Sequence, residues 1–196
     1  PHCRAQLAPL EGGSTAIVVT GTPSAGKATR ARILFQLLVA AARQSICIQS
    51  PYFLPDRSMR AELCRAARRG VAIHVLVPGR HNNHPIARRA SRRRYGELLE
   101  AGIHIFEYQP GMNHTKLLII DSTWAVIGSS NFDNRSFGLN DEVNVLLTDR
   151  QVAAQLEEDV STDLQSAKPI DLSTWRSRPL GERILALAGI VLERQQ

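Results

Sequence analysis

In NHTKLLIIDSTWAVIGSSNFDNRS, residues 113–136, a histidine, a lysine and an aspartate stand at the spacing H-x-K-x-x-x-x-D, as His114, Lys116 and Asp121. An imidazole can attack phosphorus or hand a proton to a leaving alkoxide. An ammonium and a side-chain amide beside it can hold the non-bridging oxygens as charge builds up. The amide is at hand in GSSN, where Gly128, Ser129 and Asn131 end the next apolar run with residues small enough to approach a phosphate closely. No cluster of carboxylates accompanies them, so a bound divalent cation is not implied. The chemistry suggested is phosphoryl or phosphatidyl transfer with neither metal nor cofactor. A bare H-x-K-x-x-x-x-D arises by chance in on the order of one chain in a hundred of this length. Followed at this distance by GSSN, NRS and NDEVN, it carries far more weight.

These residues need elements to hold them. Side chains alternate across a strand, so His114 and Lys116, two apart in HTKLLIID, share a face. Asp121 has the opposite parity and sits at the strand's end, by a tight DST turn, a place that suits support of the site better than chemistry. TWAVIGS and DEVNVLLTD are further strands. Upstream, STAIVVT, SICIQSPYFLP, VAIHVLVPG and IHIFEYQ alternate with helical spacing in ATRARILFQLLVAAARQ, MRAELCRAARRG and PIARRASRRRYGELLEAG. Asp56 is placed to cap the second of these helices and Gly70 to close it. RQVAAQLEEDVSTDLQS is the next helix. The alternation predicts an α/β sandwich with a mostly parallel central sheet flanked by helices. Residues 1–13 read as linker, 14–167 as the catalytic domain, and 168–196 as a tail with a short apolar helix.

Composition sets the frame. The 196 residues suffice for one domain with a sizeable core, 43% of them hydrophobic and 21% charged. The 24 Lys+Arg against 18 Asp+Glu leave a net charge of +6, which favours phosphate-bearing partners, nucleic acid or an anionic membrane surface. Cys3, Cys47 and Cys64 have no paired spacing, as expected of a reducing, intracellular setting. No signal peptide is visible and no apolar run approaches the roughly 20 residues that span a bilayer. The chain begins with Pro1, compatible with a piece of a longer protein.

From AIVVTGTPSAGK to NVLLTD the sequence resembles the phospholipase D superfamily, whose signature is HxKxxxxD followed by GSxN. It is most similar to the second half of bacterial cardiolipin synthases, through SPYFLPD, YGELLEAGIHIFEYQPGMNHTKLLIID and WAVIGSSNFDNRSFGLNDEVNVLL. The resemblance implies a phospholipase D-type fold and a two-step reaction through a phosphohistidine, with a second histidine as general acid and then base. It implies the acid/base part for His114, phosphate binding by Lys116 and Asn131 with help from Ser129, and a carboxylate at Glu142 that orients the opposite half's histidine. Asp121 stands in the catalytic set as a supporting residue. A family site needs two motifs and this chain has one, so the other half lies in a missing N-terminal region or in a homodimer mate. The implied reaction is phosphatidyl transfer between phospholipids such as phosphatidylglycerol, at the cytoplasmic face of the bacterial inner membrane. The alternatives are a single-motif homodimeric phosphodiesterase or endonuclease, a phospholipase D hydrolase, and a non-catalytic phosphate-binding module. Nucleic acid is the less favoured partner.

Five other features have plainer readings. GTPSAGKAT, residues 21–29, nearly matches a phosphate loop, but Ala28 stands where a hydroxyl must reach magnesium, and a plain loop is expected. RRASRRR, Arg88–Arg94, is balanced between a phosphate-contacting surface and a solvated helix face. HNNH, His81–His84, reads as surface loop, and His74 and His104 as residues satisfied within strands. Tyr52 and Phe53 line the site entrance or fill the core, with core favoured.

Overall fold

A computed structural model describes residues 13–21, 29–83 and 85–177. The strands are β1 (Thr15–Gly21), β2 (Ser45–Gln49), β3 (Phe53–Leu54), β4 (Ala72–Pro78), β5 (His104–Tyr108), β6 (Leu117–Ile120), β7 (Trp124–Gly128), β8 (Phe132–Asp133), β9 (Glu142–Thr148) and β10 (Ala167–Pro169). The helices are α1 (Arg30–Ala41), α2 (Arg57–Arg68), α3 (Pro85–Glu100), α4 (Asn134–Gly138), α5 (Arg150–Gln165) and α6 (Leu172–Arg176). Eight strands form one sheet in the order β1-β9-β7-β6-β2-β4-β5-β10, and β3 pairs with β8 in a small second sheet.

Alternation decides which helix covers which face. Leu118 and Ile120 of β6, with Ile46 and Ile48 of β2, join the large core under Phe35, Val39, Met59, Leu63 and Leu98 of α1, α2 and α3. Leu117 and Ile119 turn to the other face, where Ala153 and Val160 of α5 cover them. Because β6 is buried on both faces, its sequence LLII is uniformly apolar, and burial of each such side chain stabilises the fold by about 1.5–3 kcal/mol. Helix starts are fixed by side-chain caps. Asp56 accepts from Met59 N at 2.9 Å and Asp149 accepts from Gln151 N at 2.8 Å, each satisfying an orphan amide of the first turn.

The α/β layering with a large central sheet between helices is as expected, but "mostly parallel" is corrected. Only β2–β4 and β4–β5 run parallel, and the other five pairings of the large sheet are antiparallel. The crossovers through α2 and α3 do give parallel neighbours. Past β5 no crossover helix separates β6 from β7. Asp121 and Ser122, at φ 51° and 47°, make the tight left-handed turn of a hairpin, which forces antiparallel pairing. The folded body also runs past residue 167: β10 pairs with β5, and Trp175 of α6 is buried against Tyr95 with ring centroids 5.7 Å apart. Residues 1–12 of the linker expected at 1–13, and the apolar helix expected at 180–194, lie outside the described residues.

Candidate active site

The site lies at one end of the sheet, where β6 begins, β7 ends and β9 begins. His114 and Lys116 precede β6 rather than forming part of it, yet they meet as parity requires: Lys116 Nζ lies 3.0 Å from His114 Nδ1 and donates to the His114 carbonyl at 2.9 Å. The segment that carries them is anchored from α5. Asp163 accepts from Asn113 Nδ2 at 2.9 Å and from Gln49 Nε2 at 2.6 Å, and Asn113 Oδ1 accepts from Thr115 N at 3.0 Å. Tyr52 stands edge-on to the imidazole, with ring centroids 6.2 Å apart, and donates its hydroxyl to Asn83 Oδ1 at 2.9 Å.

Where β7 meets β9 the backbones are too close for a side chain. A Cβ on Gly128 would stand 2.3 Å from the Val143 oxygen and 2.5 Å from Asn144 Oδ1, so only glycine fits before the GSSN bend. Ser129 Oγ donates to Glu142 Oε2 and accepts from Val143 N at 3.0 Å; Asn140 Nδ2 donates to the other carboxylate oxygen at 3.3 Å. Next to them Asn144 donates to Ser130 Oγ at 2.8 Å, a buried pair that ties the bend to β9. Asn131 Nδ2 donates to Ser136 Oγ at 3.2 Å, while its Oδ1 is buried without a partner among the described residues. With the amide turned over, Ser136 would donate to Oδ1 and the two N–H donors would be free for a phosphate oxygen.

Electrostatics couple these groups. Burial, and then the Lys116 charge, lower the pKa of His114. Burial lowers Lys116 as well, opposed by the carboxylates of Glu142 and Asp133, which puts its ammonium within electrostatic reach of both. Asp133 caps α4 by accepting from Ser136 N at 2.7 Å, and burial pushes its own pKa up.

The expected residues thus fall into two groups. His114, Lys116, Ser129, Asn131 and Glu142 gather at one end. Asp121 does not join them: at the opposite end of β6, about 20 Å away along a strand rise of roughly 3.3 Å per residue, it accepts from the backbone of Arg43, Gln44 and Ser45. It thus ties the connection between α1 and β2 to the end of β6, as a support of the fold rather than a member of the reacting group. Sequence reasoning missed Asp133, Asn113 and Asp163. The D of NFDN was a visible cap signal before NRS, but the bond between Asp163 and Asn113 spans separate elements and leaves no local mark.

Most of the plainer readings are met where they can be seen, but Tyr52 is not the core residue expected. Thr29 accepts from Arg32 N at 3.2 Å and caps α1, while residues 22–28 of the phosphate-loop look-alike lie outside the described residues. Tyr52 flanks the site, whereas Phe53 is core. His81 is exposed, and His84 lies outside the described residues. His74 and His104 lie side by side on β4 and β5, with ring centroids 5.3 Å apart. Burial and the neighbouring acid Glu157 push the Cys47 thiol up to about 12, so it packs as a small hydrophobe.

Comparison with known proteins places this geometry. The family described as "Cardiolipin synthase, PLD-like domain" matches residues 35–164. A cardiolipin synthase of Geobacillus sp. is 41% identical over 152 residues, covering 78% of this chain and 30% of the relative. The chain spans about a third of the length of the curated relatives it matches. Among solved structures, phosphatidylserine synthase of Haemophilus influenzae superposes with a TM-score of 0.73 at 17% identity, over 92% of this chain and 46% of that one. Nuc, a phospholipase D family member of Salmonella typhimurium, superposes with a TM-score of 0.68 at 20% identity, over 81% of this chain and 99% of that one. Those two likenesses show the fold, and with the family match over residues 35–164 the chain belongs to the cardiolipin synthase, phospholipase D-like domain family.

Proposed function

We propose that this chain supplies one of two HxKxxxxD half-sites of an enzyme that transfers a phosphatidyl group from one phospholipid to the hydroxyl of another. The observation that carries the reading is the contact of Lys116 Nζ with His114 Nδ1, beside Asn131 and the Ser129–Glu142 pair. In the first step an imidazole nitrogen bonds to phosphorus, the bond to the leaving alkoxide breaks, and that oxygen takes a proton from the second imidazole. In the second, the second imidazole removes the proton of the acceptor hydroxyl, whose oxygen attacks phosphorus as the P–N bond breaks. His114 takes the acid/base part. Lys116 and the turned amide of Asn131 meet the developing charge on the non-bridging oxygens, which is why no metal ion is invoked. Ser129 holds Glu142, whose carboxylate faces the histidine of the opposite half, accepts from one ring N–H so that the other nitrogen is free to attack, and offsets the positive charge of the phosphohistidine. The enzyme draws its lipid from the cytoplasmic face of the bacterial inner membrane, with phosphatidylglycerol or a similar lipid as substrate.

A second reading has an observation of its own. Because this fold matches 99% of the Nuc chain, a chain can consist of one such unit, and two copies of the present chain would bring two motifs together. Hydrolysis of a chromogenic phosphodiester in the presence of EDTA, beside His114→Ala, separates the readings. As one half of a site, the chain alone is inactive and gains His114-dependent turnover when the other half of a cardiolipin synthase is supplied, then forms cardiolipin from phosphatidylglycerol. Turnover by the chain alone that disappears in His114→Ala selects the homodimer. Activity that persists in the variant, or that EDTA removes, sinks the mechanism.

A further inference from the structure

The arginine run of α3 is not the free cationic surface its composition suggests. Arg88 and Arg92 both donate to Glu107 of β5, and Arg92 also lies 5.4 Å from the centroid of the Trp175 ring. Exposed cations without an ion pair among the described residues stand around it, and Arg89 of the run is one of them. Arg57 opens α2, Arg80 follows β4, Arg89 lies in the second turn of α3 and Arg135 lies in α4; all four are exposed, and none has an ion pair among the described residues.

Topology brings these residues to the end of the sheet that carries His114. The chain leaves β2 and β4 at that end to enter α2 and α3, and α4 follows the GSSN bend at the end of β7. Arg30, also exposed in the first turn of α1, joins them, because the neighbouring Thr29 hydroxyl donates to the Phe137 carbonyl of α4. Against this excess stands the exposed carboxylate of Asp141. Two aliphatic side chains, Leu139 and Val143, project from the same end, each 52% exposed.

We infer that this end of the molecule seats on an anionic lipid surface, with the arginines on lipid phosphates and Leu139 and Val143 at the acyl boundary, so that His114 faces the bilayer. Paired cations and aliphatics suit a boundary that is charged above and apolar below. A nucleic-acid surface would reward the arginines but not Leu139 or Val143, and no Phe, Tyr or Trp is among the exposed residues described at this end. The inference deepens the phosphatidyl-transfer reading by naming the surface from which the site takes its substrate.

Co-sedimentation of the chain with vesicles of phosphatidylcholine, with and without phosphatidylglycerol, tests it. The triple variant Arg57→Gln, Arg89→Gln, Arg135→Gln loses affinity for the anionic vesicles by on the order of a hundredfold, from roughly fivefold per arginine near the surface. The triple variant Arg43→Gln, Arg68→Gln, Arg150→Gln removes the same charge from exposed positions at the opposite end, and it binds as the parent does. Equal losses in both variants, or no loss in either, overturn the inference. So does a site-end variant that loses affinity for duplex DNA while keeping it for vesicles, which would make nucleic acid the partner. Vesicle binding needs no turnover, so a failed phosphodiester assay with intact end-specific binding would fell the catalytic reading and leave this one standing.

Discussion

Lys116 holds His114 twice, reaching Nδ1 of the ring at 3.0 Å and the backbone oxygen of the same residue at 2.9 Å. An ammonium can only donate, so the ring nitrogen it meets must accept and the proton of the neutral imidazole sits on Nε2. The same contact explains why the ring resists a second proton: burial and then the lysine charge lower its pKa. A bound phosphate would compete for the ammonium and relieve both effects.

Lys116→Met should therefore raise the pKa of His114 toward the ordinary histidine value near 6.5. The sign follows from the cause, since removing a cation beside a base makes protonation easier. A pH titration of the His114 ring by NMR reads the shift in the chain alone, with no need for turnover. A His114 pKa that stays put or falls in the variant would show that the two residues are not electrostatically coupled.

Asp121→Ala should lower stability by about 2–3 kcal/mol at neutral pH, as backbone donors of Arg43, Gln44 and Ser45 lose their acceptor. Burial alone would raise the pKa of Asp121, but the backbone N–H groups of Ser45, Gln44 and Arg43, and then the Arg43 charge, bring it below the ordinary carboxylate value. A depressed folded pKa means stability that is full above the unfolded value and is lost as the pH falls through the folded one. The deficit of the variant should shrink on acidification, when the parent loses the same interaction. Urea unfolding at neutral and acid pH checks this, and a deficit independent of pH would assign it to strain at φ 51° instead.

Legibility in the sequence followed the range of the interactions. Asp56 as a cap, the apolar β4 and the shared side of His114 and Lys116 depend on neighbours within a few residues, and each was visible in the pattern. Strand direction was not, because the alternation of strands and helices up to β5 has the same rhythm whether or not it continues, and only the turn at Asp121 and Ser122 breaks it. The partners of the arginine run were hidden for a related reason. Glu107 lies on β5, beyond the end of α3, and only packing of that helix on the sheet brings the carboxylate under Arg88 and Arg92. Asp121 shows how a signature can join unlike parts, since its spacing from His114 reflects the length of β6 and not a shared site.

Glu142→Gln should lower the pKa of Lys116 further, because the Glu142 charge is the largest influence holding it up against burial. The glutamine keeps an acceptor for the Ser129 hydroxyl, so the fold around β9 should survive. On the proposed reading, in which the carboxylate faces the opposite histidine and the hydroxyl only holds it, Glu142→Gln should cost the assembled two-half enzyme far more turnover than Ser129→Ala. Following Lys116 Nζ by NMR and comparing kcat of the two variants tests both points. Equal losses of kcat would make Glu142 a prop for Ser129 and nothing more.

Asp163 is a positioning residue, since its carboxylate joins Gln49 at 2.6 Å to Asn113 at 2.9 Å and so fixes the turn that presents His114. In Asp163→Ala the Gln49 amide, only 4% exposed, is left buried without its acceptor, a cost of about 1–3 kcal/mol. The turn at Asn113 and Thr115 is freed at the same time, and His114 drifts from Lys116. The His114 pKa should then rise, as is expected for Lys116→Met, and Asp163→Glu should restore part of the shift by bringing a carboxylate back to the same amides. In the assembled enzyme kcat should fall with little change in KM, because the groups proposed to bind phosphate, at Asn131 and Lys116, remain. Loss of stability with the His114 pKa unmoved would reduce Asp163 to a packing role.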